Sequence, residues 1–304
     1  MTTPDNRTAW ADFWAAGPPQ SDATCLPNAL REIVEAQVAI WCGFARELEK
    51  GAHVLDLATG DGVVLKTMRE ARSDLVLTGV DSSPVLPPPP RGIRLRAGVS
   101  MESLPFKAGA FAAITSQFGY EYGDTQATSG EVGRLLRPGA KLRFVIHHSD
   151  GPIVAHNLPR RDALLWALSP GGYVAKARGL LAARRISAIP TPPAFREAPL
   201  EAQRRFPDQS VASEFLQALL VTLEMGRDKP VHYGFEVIDT LESKAKNEIA
   251  RIETLERAAC DAGRIETIGE ELRTAGIEVA PPAIVTERSS GRVFAWLVSG
   301  IGQG

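Results

Sequence analysis

The chain reads as an α/β fold built on an open, doubly wound, mostly parallel sheet, and three stretches carry that reading. Val54-Leu-Asp-Leu-Ala-Thr-Gly-Asp-Gly62 is a short apolar strand that ends in an acid and runs into a glycine turn. Leu75-Val-Leu-Thr-Gly-Val-Asp81 repeats the strand-to-acid pattern after a stretch long enough for one crossover helix. Near the other end, Ile277 to Glu287 and Arg292 to Val298 read as an antiparallel hairpin. Unbroken apolar runs are what strands covered on both faces require, and the hairpin places an antiparallel last strand beside them.

Four regions follow in order: an N-terminal helical arm over 1–50, a core over 51–151, a helical insertion over 152–260 and the end of the core over 261–304. In the arm, Trp10, Phe13 and Trp14 share one side of a short helix before a Gly-Pro-Pro break. That helix serves either as a tether or as a lid. Leu30, Ile33, Val34, Gln37, Val38, Trp41 and Phe44 then make an amphipathic helix ahead of the first strand. Gly60 and Gly62 turn the chain into a second helix from about Val63. After Asp81, Ser82-Ser-Pro-Val-Leu-Pro-Pro-Pro-Pro-Arg91 cannot be helix interior, which predicts a stiff, helix-free connection to a third strand at about Ile93 to Ala97. Phe111 to Tyr122 supplies a fourth strand and its loop, and Arg137-Pro-Gly139 introduces a fifth strand over Lys141 to His147.

The insertion breaks at Pro170-Gly-Gly172, at Pro190-Thr-Pro-Pro193 and near Pro207, with helical periodicity over Val211 to Met225 and Phe235 to Ala262. Ile238, Leu241, Ala245, Ile249, Ile252, Leu255 and Ala259 form an apolar stripe along the long helix. Such a stripe requires a partner helix, within the chain or across a homodimer. Ile265, Ile268, Leu272 and Ala275 fit the last helix.

With 304 residues, 44% hydrophobic and 23% charged, the composition is that of an ordinary globular chain able to bury a core. A formal net charge of −2 gives no overall drive toward nucleic acid or an anionic membrane. Cys25, Cys42 and Cys260 are odd in number and widely spaced, which fits neither a disulfide framework nor a zinc site and suits reduced thiols in the cytoplasm. The N-terminus lacks the apolar stretch of a signal peptide, and no run reaches a membrane span. Arg160, Arg161, Lys176, Arg178, Arg184, Arg185, Arg196, Arg204 and Arg205 make residues 158–206 basic, while the helices after them are acidic. Without aromatic interleaving, this reads as two halves of the insertion facing each other rather than as an RNA surface.

The spacing of the first glycine turn separates cofactors. A dinucleotide fingerprint would place glycine where Leu65 stands, and no G-x-x-x-x-G-K-[ST] occurs. The pattern D-x-A-x-G-x-G, from Asp56 through Ala58 and Gly60 to Gly62, resembles motif I of the class I S-adenosylmethionine (SAM) dependent methyltransferases. Ser100-Met-Glu-Ser-Leu-Pro-Phe106 is similar to their adenine-lining segment, with Ser100 where an acid is usual and Leu104, Pro105 and Phe106 as an apolar wall. Gln117 to Tyr122 is similar to their motif IV loop. The resemblance covers about 40–150 and resumes at about 263–298. It implies a seven-stranded sheet and SAM as cofactor, with S-adenosylhomocysteine (SAH) as product. The cofactor would be held by Asp56, Ala58, Thr59, Gly60, Gly62, Asp81, Ser82, Ser100, Met101, Glu102, Gln117, Phe118 and Trp14, with Asp81 accepting both ribose hydroxyls. The insertion then becomes a helical cap that selects a small-molecule or side-chain acceptor.

In open sheets ligands sit beyond the carboxyl ends of the strands, so the catalytic candidates are His147 and His148 after strand five and Glu121 after strand four. No spacing among them supports a metal. Two other readings compete: a catalytically silent SAM-binding scaffold assembled through the long helix, and a NAD-dependent oxidoreductase weakened by Leu65 and the hairpin.

Overall fold

The computed structural model describes residues 31–225 and 230–303. Trp14 and the rest of the arm before residue 31 lie outside the described residues. Contacts divide the described chain into two compact units, one over 155–253 and one joining the part before it to the part after it.

The larger unit is the sheet. Helix α1 (Arg31–Glu47) precedes β1 (His53–Leu57), α2 (Val63–Ala71), β2 (Val76–Val80), β3 (Ile93–Arg96) and β4 (Phe111–Gln117). A single 3₁₀ turn (Tyr120–Tyr122), α3 (Thr125–Leu135) and β5 (Leu136–His147) follow. The strands lie in the order β3-β2-β1-β4-β5, all parallel. Beyond β5 runs antiparallel β8 (Val293–Gly302), flanked by β6 (Ile277–Val279). The reversal from β1 toward β3 on one side and β4 on the other opens the crevice where such sheets bind ligands.

Each face of the sheet is covered. On β5, even-numbered Leu142, Phe144 and Ile146 pack in the cluster that includes Val132 and Leu135 of α3 and Ile265, Ile268 and Leu272 of α9 (Ala262–Thr274). Odd-numbered Arg143 points the other way, its guanidinium 4.6 Å from the Phe44 ring centroid of α1. This period of two fixes which loop side chains can meet.

Two sequence expectations change. The expected last hairpin is three strands, because Pro281 and Pro282 lack the N–H groups needed to continue the ladder. β6 therefore pairs with the end of β8, and β7 (Ala283–Thr286) pairs separately with Val293 to Leu297, giving eight strands instead of seven. β5 starts at Leu136, with Arg137 to Ala140 bulged out between the pairs Phe111–Leu136 and Ala113–Lys141. The proline-rich connection after Asp81 contains no helix, as its composition requires.

The smaller unit is helical: α4 (Pro152–Ala167), α5 (Tyr173–Ala183), α6 (Pro193–Arg205), α7 (Val211–Met225) and most of α8 (Val231–Ala258). Ile238, Ala245 and Ile249 of the long helix are buried in its cluster with Leu181, Leu216 and Leu219. Over Ile238 to Ile249 the apolar stripe thus finds partners within the chain. Arginines of α4 to α6 meet acids of α7 and α8: Arg160 pairs with Glu248, Arg178 with Asp239 and Glu242 at 2.7 Å each, and Arg196 with Glu224 at 3.3 Å. That is the facing of halves the charge pattern suggests.

Candidate functional site

The turn after β1 is built from main chain. Ala58, Gly60 and Gly62 have φ of 50°, 53° and 78°, so the chain passes through the left-handed region three times in five residues. Only glycine enters that region without strain, and Ala58 holds it at the end of a buried strand, where strained residues commonly serve function. Phe118, at the end of neighbouring β4, is also left-handed at φ 55°. Gly119 lets the two loops meet: a Cβ there would lie 2.4 Å from the Cβ of Ala58.

A buried carboxylate anchors the turn from below. Asp56 accepts hydrogen bonds from Thr59 Oγ1 and Thr115 Oγ1, both at 2.7 Å. Burial raises its pKa to about 7, against the lowering effect of those two hydroxyls. Asp56 thus acts as a latch holding β1, its turn and β4 together.

The carboxylate after β2 anchors the turn from the side. Gly60 N–H donates to Asp81 Oδ2 at 3.0 Å and Ser83 N–H to Asp81 Oδ1 at 2.9 Å. Each oxygen keeps a lone pair, so Asp81 can still accept one hydrogen bond on each side. Burial raises its pKa as well. Ser82 is exposed, and its neighbour Ser83 is the buried residue that closes the turn, its hydroxyl donating to Val85 O at 2.7 Å. A local signal points to Ser83, since an aspartate commonly accepts the N–H two residues on.

Ser100, Met101 and Glu102 are half-buried after β3. Ser100 Oγ is bonded to Glu102 Oε2, and Glu102 Oε1 accepts Asp124 N–H at 3.1 Å. The apolar wall expected beside them is not one surface. Leu104 is buried in the sheet core, Phe106 packs edge-on against Phe111 at 5.0 Å, and Pro105 is exposed.

On the α1 side, Trp41 Nε1–H donates to Gln117 Oε1 at 2.6 Å. Together with Gln37, Val38 and Val63 these residues line a narrow cleft beside the start of α2. Gln37 Nε2 is buried there without a partner among the described residues. In the sequence Trp41 and Thr115 look like ordinary parts of a helix and a strand, since a side chain turned toward a ligand edge leaves no mark on apolar periodicity.

Of the three catalytic candidates, His147 and Glu121 meet and His148 stands apart. His147 is buried, and Glu121 Oε1 accepts both its backbone N–H at 2.9 Å and a bond with ring Nδ1 at 2.8 Å. Phe118 stacks on the ring at 4.0 Å, and Tyr122 meets it edge-on at 5.9 Å. His148 points to the other face, stacked on Trp296 at 4.9 Å, with Nδ1 accepting Asp150 N–H at 3.1 Å. Adjacent residues of a strand face opposite sides, so the two histidines form no pair. The insertion is rooted at this edge: Cys260 N–H donates to His147 O at 2.8 Å and Ser149 N–H to Cys260 O at 3.0 Å, joining its exit to its return.

No protein-family profile matches the chain. Two demethylmenaquinone methyltransferases are similar in part. That of Thermus thermophilus is 34% identical over 104 residues, which is 31% of this chain and 47% of that protein. That of Corynebacterium kroppenstedtii is 36% identical over 95 residues, 30% and 40% respectively. The match therefore spans less than half the length of either relative. Among solved structures, a chain of the Haloferax volcanii complex between the Trm112 methyltransferase activator and a methyltransferase is 13% identical with a TM-score of 0.49, covering both chains fully. A SAM-dependent methyltransferase from Aquifex aeolicus is 10% identical with a TM-score of 0.44, covering 91% of this chain and 99% of that one. The fold assignment rests on the strand order itself. Over about a third of its sequence the chain is similar to these two demethylmenaquinone methyltransferases.

Proposed function

We propose that the chain is a SAM-dependent methyltransferase acting on a small-molecule acceptor. The observation that carries this reading is the cradle at the ends of β1 and β2: left-handed Gly60 and Gly62 leave main chain bare beside an Asp81 carboxylate with one free lone pair on each oxygen. A nucleoside whose ribose presents two adjacent hydroxyls fits that donor–acceptor set, and the bare glycines of the turn allow close approach. Asp81 would hold the ribose, the 58–62 turn and Gln117 with Phe118 the amino-acid end, and Ser100 to Glu102 the base. When bound, the cofactor supplies an electrophilic methyl group. The fitted residues bind and orient it, and Asp56 keeps the turn in shape. The relatives' names favour a small molecule over a side chain as acceptor.

Calorimetry tests the reading. SAM or SAH is expected to bind in the micromolar range, with Asp81→Ala weakening it by about 1 to 3 kcal/mol because two ribose hydroxyls lose their acceptor. Equal affinity in Asp81→Ala, or binding of NAD in preference to SAM, refutes it.

A further inference from the structure

Glu121 is an expensive residue to bury. Its side chain is 1% exposed, its Oε1 takes both bonds from His147, and its Oε2 has no partner among the described residues. A half-satisfied buried carboxylate lowers stability unless something offsets it, and the group best placed to do so is the imidazole it already holds. A carboxylate can only accept, so Nδ1 carries the proton in the bond to Glu121 and Nε2 is left as the ring's acceptor. Nε2 has no hydrogen bond among the described residues. The ring cannot turn away, being stacked on Phe118 and edged by Tyr122.

We propose that His147 Nε2 takes the proton of the methyl acceptor and that Glu121 positions the ring for it. The site is thereby committed to acceptors carrying an acidic hydroxyl, such as a phenol, over thiolates or preformed anions. This rests on the methyltransferase reading above. The O–H bond breaks as the N–H bond at Nε2 forms, and the oxygen's electron pair becomes available for the new bond to carbon. The electron pair of the sulfur–carbon bond stays with sulfur. His147 becomes an imidazolium paired with Glu121, which supplies the counter-charge Oε2 otherwise lacks, and the proton leaves later to solvent. A phenol suits an imidazole base better than an aliphatic alcohol does, because its O–H is several pKa units more acidic and gives up its proton more readily as the bond to carbon forms. His148 is not in this role, since its Nδ1 is taken by Asp150 N–H on the opposite face.

Among the described residues near the pair, Tyr122 comes from the same 3₁₀ turn as Glu121, and His148 lies beside the end of β5. Cys260 comes from the returning segment, where burial and then the charge of Glu121 push its thiol up to about 12. Beyond Cys260 lie Arg264, Asp261 and Glu271, whose charges reach it with opposite signs.

The test reads the ring directly. In ¹⁵N-labelled protein saturated with SAH at neutral pH, long-range proton–nitrogen spectra are expected to show His147 with a protonated Nδ1 and a bare Nε2. Titration with 2-naphthol should shift Nε2, and naphthalene should not. His147→Phe should raise the 2-naphthol dissociation constant about tenfold, the equivalent of one hydrogen bond. Glu121→Gln should redistribute the ring between its two tautomers, which loss of packing alone would not do. A protonated Nε2 in the parent, equal binding of naphthalene and 2-naphthol, or no binding of 2-naphthol overturns the proposal. All three are read on the parent, so a variant that fails to fold leaves the test intact. If SAH itself does not bind, the methyltransferase reading fails separately, and the tautomer is still read in the free protein.

Discussion

The two compact units bury different things. At the strand ends of the sheet unit, Asp56, Thr59, Thr115, Ser116, Glu121 and His147 are all buried and most are bonded to one another. The core of the helical unit holds leucine, alanine, phenylalanine and valine, with its arginine–carboxylate pairs kept part-exposed at the rim. Buried polarity lowers stability unless every group is satisfied. The helical unit's buried polar residues, Thr191, Gln209, Ser213 and Thr222, are all uncharged, whereas the buried Asp, Glu and His among the described residues lie in the sheet unit, three of the four at the strand ends, and mark where the molecule gives up stability for a task.

The largest effects should fall in the two apolar cores, and they sharpen the comparison by testing whether the units are separable. Phe144 is fully buried and stacks on Tyr120 at 4.5 Å, so Phe144→Ala is expected to destabilise the sheet unit by about 3 to 5 kcal/mol. Leu219, fully buried among the helices, should lose about 2 to 5 kcal/mol as alanine. Urea unfolding followed by both far-ultraviolet dichroism and SAH binding would separate the two. Leu219→Ala should leave the folded protein's SAH affinity within about twofold, given that sites sharing no partners act additively. A tenfold loss would mean that the helical core helps hold the cofactor.

An intermediate effect is expected from the latch, and it can break the comparison outright. Asp56 titrates near 7 in the folded state because burial disfavours its charge. In the unfolded chain it would titrate near 4. Between those values the folded protein binds more protons than the unfolded one, so Asp56 makes stability fall as pH rises from about 4 to 7. The total is on the order of a few kcal/mol, since every tenfold change in proton affinity corresponds to about 1.4 kcal/mol. Asp56→Asn keeps the shape and removes the titration, so its stability curve should be flatter than the parent's across that window. Equal slopes would show that the carboxylate is better solvated than its burial implies, and the contrast between the units would lose its main support.

How much of this was legible depends on what each residue does for the pattern. Strands buried on both faces show as apolar runs, so β1, β2 and β4 and the acids that end β1 and β2 were plain, and four prolines left no alternative to a helix-free connection. Pro281 and Pro282 carried the information that splits the last strands, but the alternation on either side of them reads as one strand if they are passed over. Three helices, α4 to α6, were obscured by Pro152, Pro159 and Pro199 inside their spans and by alanine-rich faces that blur periodicity. The cradle was readable because glycine spacing is local. The opposed directions of His147 and His148 follow from strand alternation, but their partners do not: Glu121, Phe118 and Trp296 reach them only through strand order, which no local pattern specifies.

The smallest effect is expected at the rim of the helical unit, where Arg178 bridges Asp239 and Glu242. The guanidinium is about one-third exposed, so solvent screens both pairs. Arg178→Ala should change stability by no more than about 1 kcal/mol, and the difference should shrink further in high salt. SAH affinity should not move. If the variant instead lost several kcal/mol, these charges would be behaving as a buried network in the way that Asp56 does, and the helical unit would have to be counted among the regions that trade stability for function. A small, salt-sensitive change keeps the division as drawn: polar groups buried at the strand ends, charges left in water among the helices.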